Sequence, residues 1–190
     1  QDGSLETFLP EVIFDEFTEL ASALADQGND VDVCVRITRD HTKQCALAYA
    51  TAAEDPDALA DDAAQATASG AVSELDEIVG GRKLIVRTDR TDPSKNIVRG
   101  FHAFELFLAE HPEWHRRVSM LALLDPSRQA VPEYAAYLER IEQAVAAVNG
   151  RFGDDGWLPV DLQVADNFPQ SVAAYKQYDV LLVNAIFDGM

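Results

Sequence analysis

An α/β fold with a doubly wound parallel sheet is predicted for the second half of this 190-residue chain. Short apolar runs, typical of buried parallel strands, recur after residue 80, and segments with helical features separate them. Strands that alternate with helices favour a parallel sheet with right-handed crossovers. The strand-like runs lie at residues 84–86, within 118–128, at 158–164 and at 180–183.

The first 80 residues give a less regular pattern. Apolar residues at helical spacing predict a helix over residues 8–24. Two short runs, at residues 31–37 and 44–49, suggest a hairpin. Asp55 is then predicted to cap an alanine-rich helix that extends to about residue 68. These elements do not by themselves indicate a function.

The loop after the first strand of the second half combines features of an anion site. It carries Arg87, Arg90 and Lys95, and Asp92 followed by Pro93 predicts a helix N-cap with proline at the first helical position. Helix N-termini offer unpaired amides and a partial positive charge, so phosphate is the expected ligand. Alternatively, the cations only pair with neighbouring aspartates on a solvated loop. The loops after all four strands lie where doubly wound sheets bind ligands.

Five sequence blocks in this half resemble, in order and spacing, the C-terminal domain of trehalose-6-phosphate synthases, which are two-domain, retaining glycosyltransferases of family 20. The resemblance extends over roughly residues 75–190 and implies a Rossmann-like domain, one half of a GT-B glycosyltransferase. The blocks are Asp89-Arg90-Thr91-Asp92-Pro93-Ser94-Lys95, Pro126-Ser127-Arg128, Pro132-Glu133-Tyr134, Asn149-Gly150-Arg151-Phe152-Gly153 and Asp188-Gly189-Met190.

This resemblance implies transfer of glucose from a nucleotide diphosphate glucose to glucose 6-phosphate, which gives trehalose 6-phosphate. It implies that Arg90 and Lys95 bind the donor diphosphate and act in catalysis by stabilising the charge of the leaving group. Arg128 would contact the acceptor phosphate. The segment of Asp188, Gly189 and Met190 would cradle the donor sugar. Neither a metal nor another cofactor is implied.

Two alternatives stay open. Pseudo-glycosyltransferases of the validoxylamine phosphate synthase type share the phosphate-binding blocks but couple a nucleotide-linked cyclitol through a carbon–nitrogen bond. The chain could also be a non-catalytic module that binds phosphate, because the family's sequence beyond the last block and most of its acceptor domain are missing here. We therefore expect an acidic remnant of the acceptor domain at residues 1–78 and a truncated nucleotide-sugar-binding domain at residues 79–190.

Charge divides the chain in the same way. Residues 1–80 carry 18 acidic and 3 basic side chains, whereas residues 81–190 carry 15 and 12. The net charge of −18 argues against nucleic acid or an anionic membrane surface as a partner, since both are bound through basic patches. No apolar run is long enough to predict a membrane span. We expect a cytoplasmic protein, with a homo-oligomer as an open alternative to a monomer.

Cysteine and histidine residues do not predict a metal site. Cys34 and Cys45 lack the spacing of a metal motif, and buried free thiols are the better interpretation. His111 and His115 are four residues apart, which on a continuous helix places them on one face. Pro112 lies between them and argues against a continuous helix.

Overall fold

The computed structural model describes residues 35–37 and 70–186. The strands are β1 (Val35–Ile37), β2 (Lys83–Arg90), β3 (Val118–Asp125), β4 (Val160–Val164) and β5 (Val180–Leu182). The helices are α1 (Ala71–Val79), α2 (Ile97–Glu110), α3 (Pro132–Phe152) and α4 (Phe168–Gln177), and two short 3-10 turns cover Pro93–Lys95 and Pro112–Trp114.

The strands form a single sheet in the order β1-β5-β2-β3-β4. Strands β5, β2, β3 and β4 are parallel, which confirms the predicted parallel sheet, and β1 pairs with β5 in the antiparallel sense. The chain proceeds from β2 through β3 to β4 and then returns to the other side of β2. The direction of winding therefore reverses between β2 and β5, the position at which doubly wound sheets bind ligands.

Helices cover both faces of the sheet. The larger core cluster joins α2 and α3 to one face, and the smaller cluster joins α1 and α4 to the other. Three helix-spaced phenylalanines of α2, at positions 101, 104 and 107, are at most 1% exposed and belong to the core. Burial of each ring contributes about 1.5 to 3 kcal/mol relative to an exposed side chain.

Most of the elements predicted in the first 70 residues lie outside the described part of the chain, as do Cys34 and Cys45. Strand β1 falls within the first run of the predicted hairpin. Helix α1 was not predicted, and it packs against the sheet through Ala71 and Leu75. The predicted division between residues 78 and 79 stays a prediction, and α1 extends across it.

Helix α2 ends at Glu110, before the proline, as the sequence indicated. His115 then lies close to a backbone carbonyl, with its Nε2 2.8 Å from the oxygen of Leu108, and His111 faces Glu113. Residues 70–186 contain no cluster of three or more side chains suited to hold a metal ion. Within the described residues, no helix combines the length and apolar character that a membrane crossing requires.

Candidate functional site

A cleft of about 380 Å³ lies at the carboxyl ends of β2, β3 and β4. Both Arg90 and Lys95, the cations predicted to bind a diphosphate, line this cleft. The structure therefore brings together the two cations on which the sequence prediction depended. The other lining residues are Thr88, Asp89, Leu123, Asp125, Ala165, Asp166, Asn167, Phe168 and Ser171.

Local backbone geometry brings Lys95 back towards the end of β2. Strand β2 pairs with β3 as far as Arg90, opposite Asp125. The Asp92 carboxylate then accepts a hydrogen bond of 2.9 Å from the Ser94 amide, and a 3-10 turn carries Lys95 into a buried position with 9% of its surface exposed. The next residue, Asn96, has a φ of 55°, a left-handed conformation that asparagine tolerates better than most residues.

The prediction that Asp92 caps a helix with Pro93 at its first position is confirmed for the short 3-10 turn, and helix α2 begins only after this turn. The amides of the turn are already occupied: that of Ser94 by the Asp92 carboxylate, and that of Lys95 by the Asp92 carbonyl at 3.0 Å. The first amide of α2, on Ile97, donates to the Tyr137 hydroxyl at 2.8 Å. The exposed guanidinium of Arg90, rather than these three amides, is consequently the candidate anion-binding group.

Asp92 is held as a charged cap. Hydrogen bonds from Ser94 lower the pKa of the Asp92 carboxyl, and a hydrogen bond from Tyr134 and the charge of Arg90 act in the same direction. The guanidinium of Arg90 is exposed and forms no hydrogen bond or ion pair within residues 70–186. Within these residues Arg90 therefore does not form the ion pair with Asp89 or Asp92 that the alternative interpretation expected, although its charge acts on Asp92.

Arg87 lies within strand β2 and Arg90 is the last residue of that strand, so neither lies in the loop, which corrects the sequence assignment. The side chain of Arg87 is completely buried, and its guanidinium pairs with Asp89 at 2.9 Å. Burial lowers the pKa of Arg87 from its ordinary value, and the adjacent Asp89 carboxylate opposes this shift. Strand β2 continues past the apolar run because buried partners compensate the charge of Arg87. Those partners could not be identified from the local sequence.

Arg128 lies beside the cleft and is not among its lining residues. Its guanidinium donates to the Tyr134 hydroxyl at 3.0 Å, and that hydroxyl donates to Asp92 at 3.2 Å. The neighbouring Ser127 amide also donates to the Thr91 hydroxyl at 2.8 Å. The loop after β3 is thus joined to the loop after β2, so Arg128 is held at the same edge of the sheet as the cleft.

The first turn of α4 forms the far wall of the cleft. Asn167 caps this helix through a 3.3 Å hydrogen bond from the Gln170 amide, and Phe168 and Ser171 face the cleft. The polar residues of this wall and of the β3 terminus were not identified from the sequence, among them Asp125, Asp166 and Asn167. Their position directly after the two strands was a signal that could have identified them.

The predicted donor-sugar segment, Asp188, Gly189 and Met190, lies outside the described residues. The chain that leads towards it is anchored at the loop of Lys95. The Ile186 amide donates to the Ser94 carbonyl at 2.8 Å, and the Asn184 side-chain amide donates to the Asn96 carbonyl at 3.1 Å.

Comparison with known proteins gives a consistent result. The model of glycosyltransferase family 20 matches residues 11–190. The alpha,alpha-trehalose-phosphate synthase (UDP-forming) of Schizosaccharomyces pombe is 34% identical over 137 residues, which are 72% of this chain and 27% of the relative. This chain thus spans roughly a quarter of that relative's length.

Two solved structures have the same fold. The alpha,alpha-trehalose-phosphate synthase (UDP-forming) of Burkholderia vietnamiensis superposes with a TM-score of 0.65 and 34% identity, over 72% of this chain and 30% of that one. The corresponding synthase of Burkholderia xenovorans, in complex with glucose-6-phosphate, gives a TM-score of 0.61 and 30% identity, over 68% of this chain and 30% of that one.

Proposed function

This chain belongs to glycosyltransferase family 20, and on that premise we propose that it forms the donor-binding part of a trehalose-6-phosphate synthase. The reaction is transfer of glucose from a nucleotide diphosphate glucose to glucose 6-phosphate, with trehalose 6-phosphate as the product. Since the relatives named above are UDP-forming, the proposed donor is uridine diphosphate glucose. A cytoplasmic location and a homo-oligomer stay predictions.

The observation that carries this proposal is the common cleft of Arg90 and Lys95. When the sugar leaves a nucleotide diphosphate, negative charge increases on the phosphate oxygens. Two fixed cations beside those oxygens stabilise the transition state more than the ground state, which is the requirement for catalysis. In this mechanism the two side chains act on the leaving group, and no protein nucleophile is needed for that role.

Arg128 is the proposed partner of the acceptor phosphate. Its guanidinium is exposed and lies over the Tyr134 ring, 5.5 Å from the ring centre. One nitrogen of the stacked guanidinium donates to the Tyr134 hydroxyl, and its other N–H groups could donate to a phosphate in a bidentate manner. A contact from Arg128 to glucose 6-phosphate would place the acceptor beside the donor cleft. The segment from Asp188 to Met190 stays the proposed contact for the donor sugar.

The cyclitol-coupling alternative uses the same phosphate chemistry, so the cleft itself does not separate the two products. Support for glucose transfer comes from the relatives, whose names are those of trehalose-phosphate synthases. A module that binds the diphosphate without transferring the sugar would use the same two cations. Binding of the diphosphate is therefore measured first, and turnover afterwards.

Calorimetric titration tests the donor site. The chain is titrated with uridine and guanosine diphosphates, their glucose conjugates and glucose 6-phosphate, at low and high salt. We expect uridine diphosphate to bind, with weaker binding at high salt because the contacts are between charges. The Arg90→Ala variant should lose about 1.5 to 3 kcal/mol of binding free energy, the usual contribution of a hydrogen bond to a charged group.

Arg116→Ala is the matched control, since Arg116 is also exposed but pairs with Asp154 at 2.8 Å away from the cleft. It should bind the diphosphate as the unaltered chain does. If the folded chain binds none of these compounds, or if both variants bind equally well, the donor site is not where we propose it.

A further inference from the structure

We propose that Arg87 is a positioning residue of the cleft that contains Arg90 and Lys95. Its buried side chain joins the loop of Lys95 to the segment after β5, and its charge neutralises that of Asp89. The consequence of this role for catalysis rests on the proposed function. The contacts that carry it are independent of the identity of the substrate.

The guanidinium of Arg87 connects two parts of the chain that are distant in sequence. One terminal nitrogen, Nη2, donates to the Lys95 carbonyl at 2.5 Å, and the other, Nη1, donates to the Asn184 side-chain oxygen at 2.6 Å. Asn184 in turn donates to the Asn96 carbonyl at 3.1 Å. Both loops are therefore held through one rigid, planar group, which a lysine could not replace with the same geometry.

The same loops are joined again close to these contacts. The Ile186 amide donates to the Ser94 carbonyl at 2.8 Å. Ile186 is exposed, with 46% of its surface accessible, so its own side chain contributes little to holding this segment. The hydrogen bond from Ile186 depends on the placement of both loops, and Arg87 is the buried group that contacts each of them.

Charge in the cleft gives Arg87 a second role. The lining residues include three aspartates, at positions 89, 125 and 166, but only two cations, Arg90 and Lys95. Asp89 is 14% exposed and pairs with Arg87 at 2.9 Å. Without Arg87, Asp89 would lose this counter-charge beside the position proposed for a diphosphate, and like charges at short range repel strongly in a partly buried site.

Helix α2 has a sequence feature that accommodates this guanidinium. A Cβ atom on Gly100 would lie 2.5 Å from Nη1 of Arg87, closer than non-bonded atoms approach. Gly100 is buried in the N-terminal turn of α2, as its fourth residue, and glycine in a helix is unfavourable compared with alanine. The Gly100→Ala substitution therefore displaces Arg87 without removing its charge, which separates the geometric role from the electrostatic one.

The competing explanation is that Arg87 and Asp89 form an ion pair with a structural role only. Stability alone does not test this, because buried ion pairs can often be replaced by apolar residues without loss of stability. The experiment therefore measures two local properties in the 190-residue chain. The first is the Kd for uridine diphosphate, determined by calorimetry. The second is the hydrogen-exchange protection of the Ile186 amide, determined by NMR, which does not require any ligand.

Three variants and one control are compared: Arg87→Met, Arg87→Met combined with Asp89→Asn, Gly100→Ala and Leu75→Ala. We expect Arg87→Met to raise the Kd by about 10-fold or more, the factor that corresponds to one charged contact. The double variant should recover part of this loss, because the carboxylate that lost its Arg87 counter-charge is no longer present. Arg87→Met and Gly100→Ala should both reduce the protection of the Ile186 amide.

Leu75→Ala controls for general loss of stability. Leu75 is completely buried in α1, in the core cluster on the face of the sheet opposite to α2, so its truncation leaves a cavity there. This variant should leave both the Kd and the relative protection of Ile186 unchanged.

The outcomes separate the two proposals. Unchanged Ile186 protection in both Arg87→Met and Gly100→Ala overturns the positioning role, whatever the ligand result. Reduced protection with an unchanged Kd overturns the link between Arg87 and the cleft. Failure of the unaltered chain to bind uridine diphosphate counts against the proposed function, and the exchange measurement then still decides whether Arg87 joins the two loops.

Discussion

The two ends of the sheet both carry a cleft lined by cations, and they use those cations differently. At the carboxyl end, the cleft of about 380 Å³ contains Arg90 and Lys95. At the amino end, a larger cleft of about 470 Å³ contains four cations. These are Arg82, Lys83, Arg116 and Arg117.

Each cation at the amino end has a structural partner. Arg82 donates to three backbone carbonyls, those of Ile78, Val79 and Gly156, at 2.9 to 3.1 Å. Lys83 and Arg116 form ion pairs of 2.7 and 2.8 Å, and the guanidinium of Arg117 lies 5.2 Å from the centre of the Trp114 ring. These groups cap α1 and hold the loops at the amino ends of β2 and β3.

At the carboxyl end, Arg90 differs from these four cations. The guanidinium of Arg90 has no hydrogen-bond or ion-pair partner among residues 70–186, and the nearest buried arginine, Arg87, neutralises Asp89 instead. The comparison teaches that neither the number of cations nor the size of a cleft identifies an anion site. The charge that is left after structural partners are counted is the better criterion.

Substitution of Lys95 gives the strongest test of this comparison. Lys95→Ala should cost about 2 to 4 kcal/mol of transition-state stabilisation, as expected for one preorganised charged group. This corresponds to roughly a 30- to 1,000-fold fall in kcat/KM, measured for glucose transfer by an enzyme that contains this chain. Arg116→Ala, at the other end of the sheet, should leave kcat/KM unchanged. Equal rates in the two variants would show that the two ends do not differ in function.

Substitution of Arg82 should give the opposite result, a loss of stability without a loss of binding. Truncation of Arg82 removes side-chain hydrogen bonds to three carbonyls, two of which, those of Ile78 and Val79, lie at the end of α1. We expect Arg82→Ala to reduce the free energy of unfolding by about 1 to 3 kcal/mol, measured by urea denaturation. Its Kd for uridine diphosphate should stay that of the unaltered chain, and a clear increase in that Kd would contradict the structural role.

The smallest expected effect concerns Asp92, and it depends on pH. Since hydrogen bonds from Ser94 lower its pKa, the charged carboxylate stabilises the folded state above its ordinary pKa of 3.8. This contribution is lost as the pH falls below that value and through the folded-state pKa. Asp92→Ala should therefore destabilise the protein by about 1 kcal/mol near neutral pH, the usual cost of losing a cap.

The difference in unfolding free energy between Asp92→Ala and the unaltered chain should decrease as the solution becomes more acidic. Asp92→Asn is the control, because it retains a capping oxygen without a titrating charge, and its effect on stability should vary less with pH. A difference that stays constant into the acidic range would show that the Asp92 charge does not contribute to holding the turn.

Much of the fold could be predicted because it depends on local patterns. The apolar runs at 84–86 and 180–183 became parts of β2 and β5, and the phenylalanines of α2 are in the core. Helix α1 was missed, because short amphipathic segments acquire most of their helical stability from packing. In this case the packing partners, such as Leu84 and Ala173, come from the sheet and from α4.

The candidate site was predicted in part. Strand order and crossover direction follow from the alternation of strands with helices, so the sequence indicated that the loops of Arg90, Lys95 and Arg128 share one edge of the sheet. The environment of Arg87 was not predictable in this way. Its partner Asn184 is 97 residues away in sequence, and only the return of the chain from β4 to β5 brings the two together.

The sequence by itself determined the alternation of strands and helices, the parallel sheet and the edge at which the two cations lie, because these follow from hydrophobic periodicity and chain connectivity. Tertiary structure alone decided which charges remain available. Whether a cation caps a helix, pairs in the core or faces a cleft depends on groups that approach from distant parts of the chain. Burial and the distance to a counter-charge, which set the free energy of each charge, exist only in the folded protein.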